Sequence, residues 1–205
     1  MSRYATETGG GGGGFKPSIG IHNAVCCQLV DFGTHEKEWQ GKIVGKVNKI
    51  NLGFEFVDVN LESEDGGTYH PVWGVQMTNS LGKRANLRTL LEGWRGREFT
   101  DEELKGFDLD KLLGLSCQLV IQPNTKGNPK IAAIAKAPAK YEGKRDMRSF
   151  WFDDEFDGEL PDWIPEWMQE IIHESDEFLG LNEQDSGSED PECDQAEEDD
   201  DCIPF

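Results

Sequence analysis

The residues in this chain whose types and spacing suit chemistry are aromatic side chains interleaved with cations. Trp39 sits among polar residues with Lys42, Lys46 and Lys49, and Tyr69 and Trp73 fall on an alternating run. Lys83, Arg84 and Arg88 follow that run, and Lys126 and Lys130 flank a turn-rich connection. Cations neutralise phosphates, and aromatic faces stack on bases for ~1–3 kcal/mol each with little regard to base identity. Each residue also has a structural reading. Polar surroundings favour exposure of Trp39, whereas Tyr69 and Trp73 share a parity with Val75 and Met77, which fits core packing as well as stacking. The lysines could equally be solvated loop residues.

Residues for covalent or metal chemistry are scattered. The four histidines show no metalloprotease spacing, and no nucleophile elbow is present. Gly9–Gly14 formally satisfies a dinucleotide fingerprint, but no strand precedes it and no amphipathic helix follows. A zinc site could be drawn from His22, Cys26, Cys27 and His35, yet the spacing matches no ligand pattern. Asp153-Asp154-Glu155 could hold Mg²⁺ in a nuclease, although runs of like charge are more often solvated. The residues therefore point to a protein without catalysis, metal or cofactor. The five cysteines are odd in number and lack any C-x-x-C pair, as expected of a reduced, cytoplasmic protein.

The elements that must position the aromatic and basic set can be read from periodicity. Ile50, Leu52, Phe54 and Phe56 alternate with Lys49, Asn51 and Glu55, which predicts a half-buried strand between Lys46 and Leu61. Gly53 and the parity change near Val57 predict a bulge in that strand. An earlier strand is expected over His22–Val30 and, after the Asp65-Gly66-Gly67 turn, a third over Tyr69–Thr78. Leu87, Leu90, Leu91 and Trp94 form one helical stripe. Thr100 and Glu103 form a capping box, and Asp108 caps a turn that Gly114 ends. Strands over Ser116–Gln122 and Lys130–Ala137 flank Pro123–Pro129. Three strands, a helical insert and two strands give the element order of an OB-fold, a five-stranded, partly open barrel, within a mainly β chain with a helical insert (α+β).

Charge divides the chain. Of 40 acidic residues, 22 lie between Trp151 and Phe205, where there is no Lys or Arg, so the first 150 residues hold 18 acids and all 20 bases. The expected organisation is a flexible Gly-rich stretch over 1–14, the OB-fold domain over 15–140, an acidic linker with a short amphipathic helix over 141–179, and a disordered acidic tail over 180–205. The helix pattern is Trp163, Ile164, Trp167, Ile171 and Ile172, suited either to packing on the barrel or to a partner. No signal peptide and no membrane-spanning run is expected. The tail is nearly free of apolar residues until Asp199-Asp200-Asp201-Cys202-Ile203-Pro204-Phe205. A terminal ring and carboxylate, with Pro204 limiting entropy loss, suit docking on a basic pocket.

That terminus resembles the acidic tip of bacterial single-stranded-DNA-binding proteins, from which it departs by the insertion of Cys202. Separately, Asn86-Leu87-Arg88, Trp94-Arg95-Gly96-Arg97, Phe99-Thr100, Gly106-Phe107-Asp108-Leu109 and Leu112-Leu113-Gly114 resemble phage-type single-stranded-DNA-binding proteins of the OB-fold class, as does Leu160-Pro161-Asp162-Trp163-Ile164. The resemblance implies a non-catalytic protein that coats and protects single strands during replication or recombination, in the host cytoplasm if phage-encoded. It implies recruitment of replication or recombination proteins through Asp199, Asp200, Asp201, Ile203, Pro204 and Phe205. A homo-oligomer remains open. Rival readings are an acidic interaction protein or DNA mimic, and a metal-dependent nuclease. The charge split further predicts that the acidic tail competes with DNA, so that deleting 180–205 tightens binding at low salt.

Overall fold

A computed structural model describes residues 15–63, 65–152 and 156–185. The predicted alternation on the second long strand appears as β2 (Lys42–Phe56), with Ile50, Leu52, Phe54 and Phe56 all buried in the main core. Its partner β1 (Gly20–Trp39) is far longer than the expected His22–Val30. Opposite Gly53 the bulge lies in β1 instead of β2. The register shifts between Cys26 and Gln28 and between Asp31 and Gly33 leave an extra residue on β1, whereas the shift at Lys37/Glu38 leaves its extra residue, Val44, on β2. Extra residues on one strand bend and coil it, which lets β1 serve several neighbours along its length.

Beyond β2, Leu61–Glu62 (β3) and Thr68–Tyr69 (β4) form a small hairpin around the predicted Asp65-Gly66-Gly67 turn. The expected third strand is therefore interrupted at His70-Pro71, and its long portion is β5 (Val72–Thr78). Helix α1 (Asn86–Arg95) buries Leu87, Leu90, Leu91 and Trp94, as the stripe predicted. The capping box closes both ways: Thr100 N–H donates to Glu103 Oε2 at 3.0 Å, and Glu103 N–H to Thr100 Oγ1 at 3.2 Å. The Asp108 cap is present as well, through Asp110 N–H at 3.0 Å. Strands β6 (Ser116–Pro123) and β7 (Pro129–Lys136) then form the predicted hairpin.

The main sheet runs β5-β2-β1-β6-β7, with antiparallel pairing along this path. Its first four strands in sequence lie in the spatial order fourth, first, second, third, which is a Greek key. No pairing between β5 and β7 closes this sheet among the described residues; α1 lies against both of those edge strands. The fold is thus mainly antiparallel β with few helices.

The acidic stretch expected as a linker supplies structure of its own. β8 (Arg148–Phe150) pairs in parallel with Gln28–Val30 of β1, and α2 (Glu166–His173) and α3 (Asp176–Asp185) follow. On α2, Met168 and Ile172 are buried while Glu166 and Glu170 are exposed, as is the C-cap Glu174, an amphipathic division at i, i+4 spacing. With Phe150 and Ile164 they cover Val30 and Phe32, forming a second apolar cluster apart from the main core. Of the two roles open to this helix pattern, packing on the sheet is the one observed.

Candidate nucleic-acid interface

Past Gly33 on β1 and Lys49 on β2, the two strands pair only with each other among the described residues and continue as a two-stranded arm. At the arm's end Gln40 and Gly41 have φ of 52° and 75°, the backbone of a tight type I′ hairpin turn. Trp39 stands beside that turn, paired with Lys42 and 65% exposed. Its apolar neighbours Ile43 and Val44 are exposed too. Among the described residues no core reaches this far, and the ring faces solvent.

The arm's base is keyed to the acidic segment. Lys46 Nζ lies 2.7 Å from Asp176 Oδ2, and that bond raises the lysine's pKa. Glu177 receives Thr34 N–H and Thr34 Oγ1–H, both at 2.6 Å. Burial pushes the Glu177 carboxyl up, but the two bonds from Thr34 outweigh it and the net shift is downward. Gly33, at φ +76°, admits this approach, since a Cβ there would meet Ser175 at 2.6 Å.

The remaining predicted residues divide between the two ends of β1. Lys49 is half-buried opposite Thr78, and Asn79 N–H donates to Asn48 O at 2.9 Å, so the loop carrying exposed Lys83 and Arg84 leaves from the arm's base. Arg88 is engaged by Glu92 at 2.8 Å. Lys126 and Lys130 are exposed on the β6–β7 hairpin, whose Ile121 pairs with Gly20 at the opposite end of β1. Trp73 lies opposite Phe54 on the core side, edge-on to Phe15 at 6.4 Å between ring centroids. Tyr69 is exposed, and the Arg145 guanidinium carbon stands 5.5 Å from its ring centroid. The docking residues Asp199, Asp200, Asp201, Ile203, Pro204 and Phe205 lie outside the described residues, as do Asp153-Asp154-Glu155.

Sequence reasoning missed the group built on Glu55. This carboxylate is wholly buried and receives His70 Nδ1–H at 2.8 Å, Lys144 N–H at 2.7 Å and Arg145 N–H at 3.1 Å. Gly143 packs on the same carboxylate, leaving no room for a Cβ. The segment so pinned belongs to a basic stretch of the chain: Lys126–Arg148 contains seven Lys and Arg against two acids. That local charge was the available signal.

No group of three or more His, Cys, Asp or Glu converges on a metal position among the described residues. Burial pushes the Cys27 thiol up to about 12, with the Glu55 charge adding to it, so it is a protonated core thiol and no nucleophile. His35 is bonded through Nε2 to Phe32 O at 2.8 Å. No helix is long and apolar enough to cross a membrane among the described residues. No protein-family model matches the sequence, and no curated protein matches it either.

Proposed function

We propose that the chain is a non-catalytic, sequence-independent single-stranded-DNA-binding protein built on an OB-type barrel left open between β5 and β7. The Greek-key strand order, with α1 between the third and fourth long strands, supports that architecture. The observation that carries the function is Trp39, 65% exposed beside Lys42 at the end of an arm with no core beneath it. An aromatic platform flanked by cations is what sequence-tolerant single-strand binding requires. In this reading the acidic terminus ending in Ile203-Pro204-Phe205 engages replication or recombination proteins and competes for the arm's lysines when DNA is absent.

The test is a fluorescence titration of labelled oligo-dT, single- against double-stranded, with the full chain, the Trp39→Ala variant, and a chain ending at Asp185. Single strands bind preferentially, Trp39→Ala loses roughly tenfold or more in affinity, and the shortened chain binds more tightly at low salt. Absence of single-strand binding in both full and shortened chains favours the DNA-mimic reading. Mg²⁺-stimulated loss of the oligonucleotide favours the nuclease.

A further inference from the structure

The segment pinned by Glu55 has no part in the arm. Lys140, Lys144, Arg145 and Arg148 are all exposed along it, and among the described residues the ion pair these four make is Arg148–Asp146, at 3.2 Å. Arg145 donates from Nε and Nη2 to His70 O at 3.4 and 3.2 Å, which holds the guanidinium beside Tyr69. Its Nη1 makes no hydrogen bond among the described residues. Around the pair is a shallow, open concavity of about 410 Å³ lined by Ser63, Asp65, Gly67, Thr68, Tyr69 and Arg145. The lining also carries one acid, Asp65, whose Oδ1 accepts Gly67 N–H at 3.1 Å, a bond that lowers its pKa and keeps it charged.

We propose that this concavity is a nucleotide subsite: a base stacks on the Tyr69–Arg145 pair, and the neighbouring phosphates lie on Lys144 and Lys140. The ligand class is one unit of a single-stranded nucleic acid, and the inference rests on the single-strand reading above. Guanidinium planes and phenol rings both stack on bases, and a fixed backbone keeps the platform preorganised. Two bonds from the strap's own amides to a buried carboxylate provide that fixity. The subsite lies away from the arm, so a strand contacting both would run along the length of β1.

The experiment titrates the full chain and its Tyr69→Ala, Tyr69→Phe, Arg145→Lys and Lys144→Gln variants with labelled oligo-dT at several salt concentrations. Tyr69→Ala weakens binding roughly tenfold, and Tyr69→Phe keeps the ring and the affinity. Arg145→Lys retains the charge but loses the planar face, and falls between them. Lys144→Gln lowers the salt slope by about 1, while Lys105→Gln, at an exposed lysine outside the strap and the arm, leaves it unchanged. Thermal unfolding confirms that each variant is folded, and should Tyr69→Ala unfold, Arg145→Lys decides. Wild-type binding with folded Tyr69→Ala, Arg145→Lys and Lys144→Gln variants of unaltered affinity and slope overturns the subsite and leaves the single-strand reading standing. Failure of the wild type to bind overturns the reading, and the subsite with it.

Discussion

Two carboxylates, Glu55 and Glu177, hold later parts of the chain to the sheet with the same chemistry, a carboxylate accepting backbone amide hydrogens, but in opposite surroundings. Glu55 is wholly buried and closes over the 143–145 strap with a histidine as third donor. Glu177 is only partly buried and ties the start of α3 to Thr34, next to the exposed Lys46–Asp176 bridge. Water competes for the second set of bonds and hardly for the first. The strap end is therefore built to stay in place, whereas the arm end is held by contacts that salt, acid or a polyanion can release.

The sharpest way to break this comparison is Glu55→Ala. His70 Nδ1 and the amides of Lys144 and Arg145 all lose their acceptor at a site with no exposure. Removing one side of a buried charged hydrogen-bond group destabilises by about 3–5 kcal/mol. Urea unfolding of the variant measures this directly. A loss no larger than that of the Glu177 variant described below would remove the distinction between the two ends.

The two ends were unequally legible in the sequence. β2 was readable because Ile50, Leu52, Phe54 and Phe56 face a core while their neighbours are polar, and α1 because its stripe is regular. The same alternation hid Glu55 and Asn51. Both lie on the polar parity, which a half-buried strand presents to water, yet both are buried. The strap closes over Glu55, and the Asn51 side chain lies against Gly74 of β5, where a Cβ would meet its Oδ1 at 2.7 Å. Such coverage is a long-range event with no local signature. β1 was read short for a related reason: its middle is buried on both faces and its last third has no core to alternate against. The helix pattern through Ile164 and Ile172 was visible, with packing as one of its two readings, but the pattern did not include Met168, which packs beside them. At the candidate site, exposure of Trp39 followed from its polar surroundings. The pairing of Tyr69 with Arg145 did not, since those residues are distant in sequence and meet only through the strap.

A smaller effect is expected at the arm's base. Glu177→Gln retains an acceptor but loses the charge that strengthens both bonds from Thr34, which amounts to about 1 kcal/mol after allowance for solvent screening. Hydrogen exchange at Thr34 and its neighbours should quicken, with little change at the strap. The pH dependence has a definite sign. The folded-state pKa of Glu177 is lowered, so its contribution is complete above the carboxyl's usual range and is lost as pH falls through the depressed value. Wild-type protection at Thr34 therefore weakens on acidification in a way that Glu177→Gln does not. Parallel pH profiles for the two proteins would remove Glu177 from the lock.

The smallest effect, and the one closest to function, concerns Asp176. Its bridge to Lys46 is exposed on both sides, so Asp176→Asn leaves the unfolding midpoint essentially unchanged. The same bridge occupies a cation that the single-strand reading assigns to phosphate. Freeing Lys46 should therefore raise affinity for oligo-dT by roughly two- to threefold at low salt, a gain that vanishes once added salt shortens the screening length to a few ångströms, about 3 Å at 1 M. Lys46→Gln should abolish the gain in an Asp176→Asn background, because the two substitutions act through one contact. Equal affinities across this set would confine the arm's contribution to Trp39 and Lys42 at its tip. A gain that persists at high salt would point to movement of α3 instead of release of the lysine, and would make the arm end a hinge whose position, more than its charge, controls access to the strand.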